Sequence, residues 1–151
     1  MSKTGKLLLL GMTPLAVGCV QNVAALYLGA FGLVMDIIGI VLLILWGYVA
    51  YRVSDPGKNP VMQSFLLCSF GLLMLVLALY QELIVGQYWF HIVGFAAQAY
   101  FLPLLSLISS IFIPVVQAFM PAVRPWPFYI VIWACMFAAG FAGCLRKRNG
   151  K

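Results

Sequence analysis

Apolar residues follow one another in long runs along this chain, and short polar or proline-containing stretches separate the runs. Each run is close to the roughly 20 apolar residues that a transmembrane helix needs. The pattern predicts an all-α, polytopic integral membrane protein: a single transmembrane domain, residues 1–151, built as a helical bundle of four transmembrane helices, with five possible. The predicted spans are about residues 7–27, 31–51, 61–84 and 127–145.

The segment between the third and the last run, residues 88–120, is harder to assign. It would form a helix of roughly 50 Å, longer than the hydrocarbon thickness of about 30 Å. Pro103 and Pro114 interrupt it. The segment is therefore expected to be re-entrant, as two half-length helices bent near Pro103–Ser110, to be interfacial, or to form a further span.

The composition excludes a soluble domain. Of the 151 residues, 65% are hydrophobic and 8% are charged, whereas soluble domains carry about 25% charged residues. The net charge is +6, but the basic residues flank the apolar runs. This placement indicates lipid head groups as the anionic partner, and no nucleic acid.

Basic residues also predict the orientation, because cytoplasmic loops hold an excess of lysine and arginine. Five crossing runs would divide the nine bases five to four, and a first run lying flat would divide them six to three. If residues 88–120 do not cross, eight bases lie inside and only Arg124 lies outside. This last arrangement fits best, and it predicts a multi-pass protein of the cell membrane with cytoplasmic N- and C-termini.

Polar side chains inside the runs are the candidate binding residues. Asp36 lies inside the second run. The aromatic residues Trp46, Tyr48 and Tyr51 mark the membrane interface at the far end of this run. An acid inside a span is costly and is treated as functional by default. In the eight-to-one arrangement the polar groups converge on the outer half of the bundle. The candidates for ion or ligand binding are Asp36, Gln21, Asn22, His91 and Glu82.

Two structural interpretations compete with this site. Asp36 could be protonated and hydrogen-bonded to Gln21 or Asn22, joining two helices, or it could extend towards the outer interface. Glu82 is expected at the level of the head groups, where a carboxylate costs little. His91 follows aromatic residues at an interface, where histidine is ordinary.

Small residues line the last run at helical spacing, and such faces let helices approach closely in lipid. They predict packing within the chain, in a homo-oligomer or against a partner membrane subunit. These helix-packing residues are Ala134, Ala138, Ala139, Gly140, Ala142 and Gly143.

Motifs for catalysis, cofactors or metals are not found in the sequence, which predicts no catalytic residues, no metal and no cofactor. The four cysteines show no metal-ligand spacing and are interpreted as small packing residues. Residues 16–19, AVGC, resemble a bacterial lipobox, although alanine stands where leucine is usual. Cleavage before Cys19 and its lipidation are therefore an alternative to an uncleaved first span.

Three functions follow from these patterns. The favoured one is a small non-enzymatic membrane protein, an accessory, assembly or structural subunit that works through helix packing. The alternative is a small ion- or proton-coupled transporter or channel that uses Asp36 and its polar neighbours. A membrane-embedded enzyme acting on lipid is the weakest of the three.

Overall fold

The computed structural model describes residues 3–28, 32–89, 91–119 and 123–150. The chain is 88% helical, with no strand among the described residues. Five helices are long and apolar enough to cross a membrane, which confirms the predicted all-α membrane fold. The elements are α1 (Lys3–Leu10), α2 (Thr13–Leu28), α3 (Gly32–Val53), α4 (Pro60–Leu79), a π-helical turn (Tyr80–Val85), α5 (Ile92–Phe119) and α6 (Trp126–Asn149).

The first span is broken into α1 and α2 at Gly11 and Met12. A Cβ built on Gly11 would lie 2.6 Å from the carbonyl oxygen of Leu67, so the break lets α1 approach α4 closely. Pro14 stands in the first turn of α2, where its missing N–H leaves no helical bond unmade. The sequence predicts a kink at Pro14, in the first third of the first run, but the helix is interrupted at Gly11 and Met12, two residues before this proline at the nearest. The sequence also predicts a tight helical hairpin between the first two spans, with its turn at Gly29 and Gly32, and Gly29 lies outside the described residues.

Helix α5 packs between α2 and α3 at two glycines. Because Pro103 has no N–H, the carbonyl of Ala99 loses its usual helical donor. That carbonyl oxygen lies 1.7 Å from where a Cβ on Gly18 would be, and the carbonyl oxygen of Pro103 lies 2.9 Å from a Cβ on Gly39. Only glycine permits these two backbone approaches, which hold three helices together at one level of the bundle.

The start of the chain, the loop after α3 and the last turns of α6 meet at one end of the bundle. Thr4 and Leu7 share a cavity with Asp55 and Lys58. Lys147 Nζ donates hydrogen bonds to the carbonyl oxygens of Arg52, at 2.7 Å, and Ser54, at 2.6 Å. We call this the basic end, and its described basic residues are Lys3, Lys6, Arg52, Lys58, Arg146, Lys147 and Arg148.

The opposite end of the bundle is built from the π-helical turn, the loop that follows it and the first turn of α6. The rings of Phe101 and Tyr129 lie 5.0 Å apart there. The side chain of Tyr88 reaches Glu82 on the π-helical turn. Arg124 precedes the start of α6 by two residues and therefore belongs to this distal end.

Helix α5 is a single helix, so the two half-length helices considered for residues 88–120 are not found. It starts at the distal end, where Gly94 packs against Trp89. Seven residue steps join Phe119 to Trp126, and they reach at most about 25 Å. The bundle is deeper than that, since α3 alone spans about 33 Å. Helix α5 therefore runs obliquely and its end does not reach the basic end.

Candidate functional site

The first polar group lies where α2 meets α3. Gln21 is 6% exposed, and its Nε2 donates a hydrogen bond of 2.7 Å to the sulfur of Met35. The next residue of α3 is Asp36. Among the described residues, buried Gln21 Oε1 and Asp36 Oδ1 find no hydrogen-bond donor. Asn22 follows on α2 and is half-buried.

Asp36 is placed close to the start of α3. It lies four residues after Gly32, which is about 6 Å along the helix axis. The first turn of α3 holds no acidic residue, and the partial positive charge of a helix N-terminus falls off within that turn, so it stabilises the Asp36 carboxylate little. Around it α3 exposes mainly apolar side chains, such as Leu33 and Ile37. The group can therefore accept a proton, a cation or a hydrogen bond supplied from outside the described chain.

The second polar group lies on the π-helical turn at the distal end. Gln81 is fully buried and Glu82 is 7% exposed. Gln81 Oε1 accepts from the N–H of Trp89 at 2.9 Å, and its Nε2 donates to the carbonyl of Leu77 at 3.3 Å. The wider π turn brings two consecutive polar residues inward, which a regular helix does less readily.

Glu82, which is expected from the sequence at the level of the head groups, lies near the end of the third candidate span and is buried and paired. The hydroxyl of Tyr88 donates a hydrogen bond of 2.5 Å to Glu82 Oε2. Burial raises the pKa of Tyr88, and its bonds to Glu82 and Tyr129 raise it further. Tyr88 therefore keeps its proton and remains a donor to the carboxylate. With Gln81 and Glu82 both paired, this group is suited to closing the distal end.

His91 belongs to the aromatic surface of the distal end. It is exposed, and its ring lies 5.0 Å from the ring of Trp89, which in turn lies 5.9 Å from Tyr80. Within the described chain no hydrogen bond links His91 or Glu82 to Asp36, Gln21 or Asn22. The polar residues expected to converge thus form two groups, one on α2 and α3 and one at the end of α4.

A third set of polar atoms lies in the centre of the bundle, where sequence reasoning placed none. Trp46, expected at an interface, is 2% exposed. Its Nε1 and the hydroxyl of Tyr100 have no hydrogen-bond partner among the described residues. Trp133 Nε1 donates to the carbonyl of Cys68 at 3.3 Å. These residues come from four different helices, so no local sequence signal could have grouped them.

The small residues of α6 divide between two faces. A Cβ on Gly143 would lie 2.1 Å from the carbonyl oxygen of Gly47, and one on Gly140 would lie 3.6 Å from Leu67. Ala139 also faces Gly47, so this face packs α6 against α3 and α4 within the chain. The other face is exposed, and its members are Ala134, Ala138 and Ala142.

No group of three or more His, Cys, Asp or Glu side chains that could hold a metal ion occurs in the described ranges. Comparisons with protein-family models, with curated proteins and with solved structures give no match. The candidate site comprises one unsatisfied polar group on α2 and α3 and one satisfied group that closes the distal end.

Proposed function

We propose that this chain is a non-enzymatic subunit of a membrane assembly, an accessory or assembly component that packs helices against a partner membrane protein or a second copy. One observation supports the proposal: the last ten residues of α5, 110–119, are mostly exposed. Among them only Phe112 and Val116 touch the core. The other eight side chains are exposed: Ser110, Ile111, Ile113, Pro114, Val115, Gln117, Ala118 and Phe119.

Exposure of apolar side chains is ordinary in lipid, but residues 110–119 also expose polar groups. Pro114 has no N–H, so the carbonyl of Ser110 lacks its usual helical donor. The amide of Gln117 is exposed within the same two turns. Each unsatisfied polar group in hydrocarbon costs several kcal/mol. A helix from a partner that donates to these groups would remove that cost.

A crosslinking experiment tests the proposal directly. A photoreactive amino acid at Val115 is compared with the same residue at Val76 on α4. The two valines are 53% and 58% exposed, so they form a matched pair. We expect one defined protein crosslink from position 115 in native membranes and none from position 76. Equal crosslinking from the two positions, or none from 115, would overturn the proposal.

The orientation belongs to the same proposal. The basic end holds all the described basic residues except Arg124, and an excess of such residues favours the cytoplasm. Both termini would then face the cytoplasm of a cell-membrane protein. A reporter that is active only outside the cytoplasm should be silent when fused after Lys151. The same reporter inserted after Arg124 should be active, and the opposite pattern would contradict the orientation.

A second function, a small ion- or proton-coupled transporter or channel, is favoured by a different observation. Gln21 Oε1 and Asp36 Oδ1 are two buried acceptors without a donor in the described chain. Each of them can accept a proton, a cation or a donor that comes from outside the described chain. If this function holds, Asp36→Asn abolishes coupled flux in liposomes that contain the purified protein. If the assembly function holds, the wild type shows no flux above empty liposomes.

A further inference from the structure

A lipid-facing groove runs between α3 and α6 towards the basic end, and the proposed function does not use it. Its volume is about 540 Å³, within the range of small-molecule sites. On α3 its wall extends from Leu43 to Tyr51, about 12 Å along the helix axis. One leaflet of hydrocarbon is about 15 Å deep, half of the full thickness. The groove thus reaches from the middle of the bundle almost to its surface.

Small residues make the groove possible. Gly47 on α3 and Gly143 on α6 let the two backbones meet, since a Cβ on Gly143 would lie 2.1 Å from the Gly47 carbonyl oxygen. Ala139 and Ala142 line the α6 side without filling the space. The upper wall consists of apolar side chains, Leu43 and Ile44. This part of the groove matches a hydrocarbon chain.

The lower mouth of the groove is polar and positive. Tyr48, Tyr51 and Arg146 line it, and the guanidinium of Arg52 lies 5.8 Å from the centre of the Tyr48 ring. Lys147, the next residue after Arg146, is held by the carbonyl oxygens that end α3. The Arg146 side chain is exposed, and its guanidinium makes no hydrogen bond or ion pair within the described ranges. Its five donors suit a phosphate.

We propose that this groove binds an anionic phospholipid, with one acyl chain along α3 and α6 and the phosphate at Arg146 and Arg52. Basic pockets between transmembrane helices are known to bind acidic head groups. A second copy is the less suitable occupant. Two copies have the same orientation in a membrane, so a dimer across this groove would bring their Arg146 side chains together. That repulsion is absent when the occupant is an anionic lipid.

Native mass spectrometry of the detergent-purified full chain tests the proposal with phosphatidylglycerol, phosphatidylcholine and inorganic phosphate as probes. We expect tighter binding of phosphatidylglycerol than of phosphatidylcholine, and none of inorganic phosphate. Arg146→Gln should weaken phosphatidylglycerol binding roughly fivefold, because a base near the surface contributes about that factor. Arg148→Gln is the matched control, since Arg148 lines a different cavity with Lys58 and should leave binding unchanged.

A second pair of variants tests the apolar part of the groove. Ala142→Leu fills the groove from an exposed position, whereas Ala138→Leu, also exposed, does not line it. We expect the first variant to lose both phospholipids and the second to retain them. Equal losses in Arg146→Gln and Arg148→Gln, unchanged binding in Ala142→Leu, or inorganic phosphate binding as well as phosphatidylglycerol would overturn the proposal. A dimer that forms only without lipid and is abolished by Ala142→Leu would assign the groove to a second copy instead.

Discussion

The side-chain amide of Gln21 on α2 donates to the sulfur of Met35 on α3. This bond joins the first two spans near the start of α3. Asp36 follows Met35 in the sequence. The amide oxygen of Gln21 and one carboxylate oxygen of Asp36 nevertheless lack donors among the described residues. The contact between α2 and α3 therefore contains one hydrogen bond and two acceptors without donors among the described residues. We therefore expect the charge of Asp36 to affect stability.

Replacing Asp36 by asparagine should leave the fold intact and keep or raise the thermal unfolding midpoint in detergent. The substitution removes the charge from a carboxylate whose buried Oδ1 has no hydrogen-bond partner among the described residues. A neutral amide costs less than a carboxylate ion when it is buried without a partner, so the change is neutral or favourable. The measurement is thermal unfolding of the two proteins side by side. A clear fall in the midpoint would mean that the charge of Asp36 is compensated by a bound cation or partner.

Gly18 should not tolerate alanine. Its Cβ would lie 1.7 Å from the Ala99 carbonyl oxygen, so α2 and α5 would have to separate. Overpacking of this kind costs about 1–3 kcal/mol. Gly32→Ala is the matched control, because a Cβ there meets no atom of the described residues within 4 Å. We expect Gly18→Ala to lower the free energy of unfolding and Gly32→Ala to leave it unchanged. Equal effects of the two substitutions would refute the close contact between α2 and α5.

Removing the hydroxyl of Tyr88 should destabilise the distal end. Tyr88→Phe leaves the buried Glu82 carboxylate without this donor, and an unsatisfied buried group costs about 1–3 kcal/mol. Tyr80→Phe is the control, since Tyr80 is exposed and contributes a ring contact with Trp89. Chemical unfolding should separate the two variants. If Glu82→Gln in the Tyr88→Phe background restores no stability, the carboxylate is not the group that needs the hydroxyl.

The same bond predicts a loss of stability at alkaline pH. Burial and the bond to Glu82 raise the pKa of Tyr88 above that of an ordinary tyrosine, which is about 10. Above that pH the unfolded chain releases the proton while the folded chain retains it. The contribution of Tyr88 is therefore complete below about pH 10 and is lost as the pH rises further. Tyr88→Phe should show a shallower decline of the unfolding midpoint between about pH 9.5 and 11. A decline as steep as that of the wild type would contradict this assignment.

Much of the architecture follows from the sequence because lipid imposes one simple requirement. Runs of apolar residues longer than a bilayer core predict helices, and five such helices are present. The distribution of bases predicts a shared end for the start of the chain, the loop after α3 and the tail. In the structure Thr4 and Lys58 share one cavity there, and Lys58 and Arg148 share another.

The polar groups were less predictable, because their partners are distant or depend on irregular backbone. Glu82 is buried since a π turn and a glycine turn fold Tyr88 back onto it, and the sequence shows neither turn. Trp46 looked like an interface residue, yet α6 covers it because Gly140 leaves room. Such outcomes depend on which helices become neighbours, which periodicity alone does not determine.

Whether the chain belongs to a larger assembly, as we propose, can be measured from the mass of the particle that it forms in its own membrane. Native membranes are solubilised with a polymer that retains lipid, and the purified particle is weighed by native mass spectrometry. We expect the particle to contain this 16.6 kDa chain at a constant ratio to a partner or to a second copy of itself. We also expect Val115→Lys to weaken the complex and Val76→Lys to leave it unchanged. A particle that holds one copy of this chain and lipid alone would contradict the proposal.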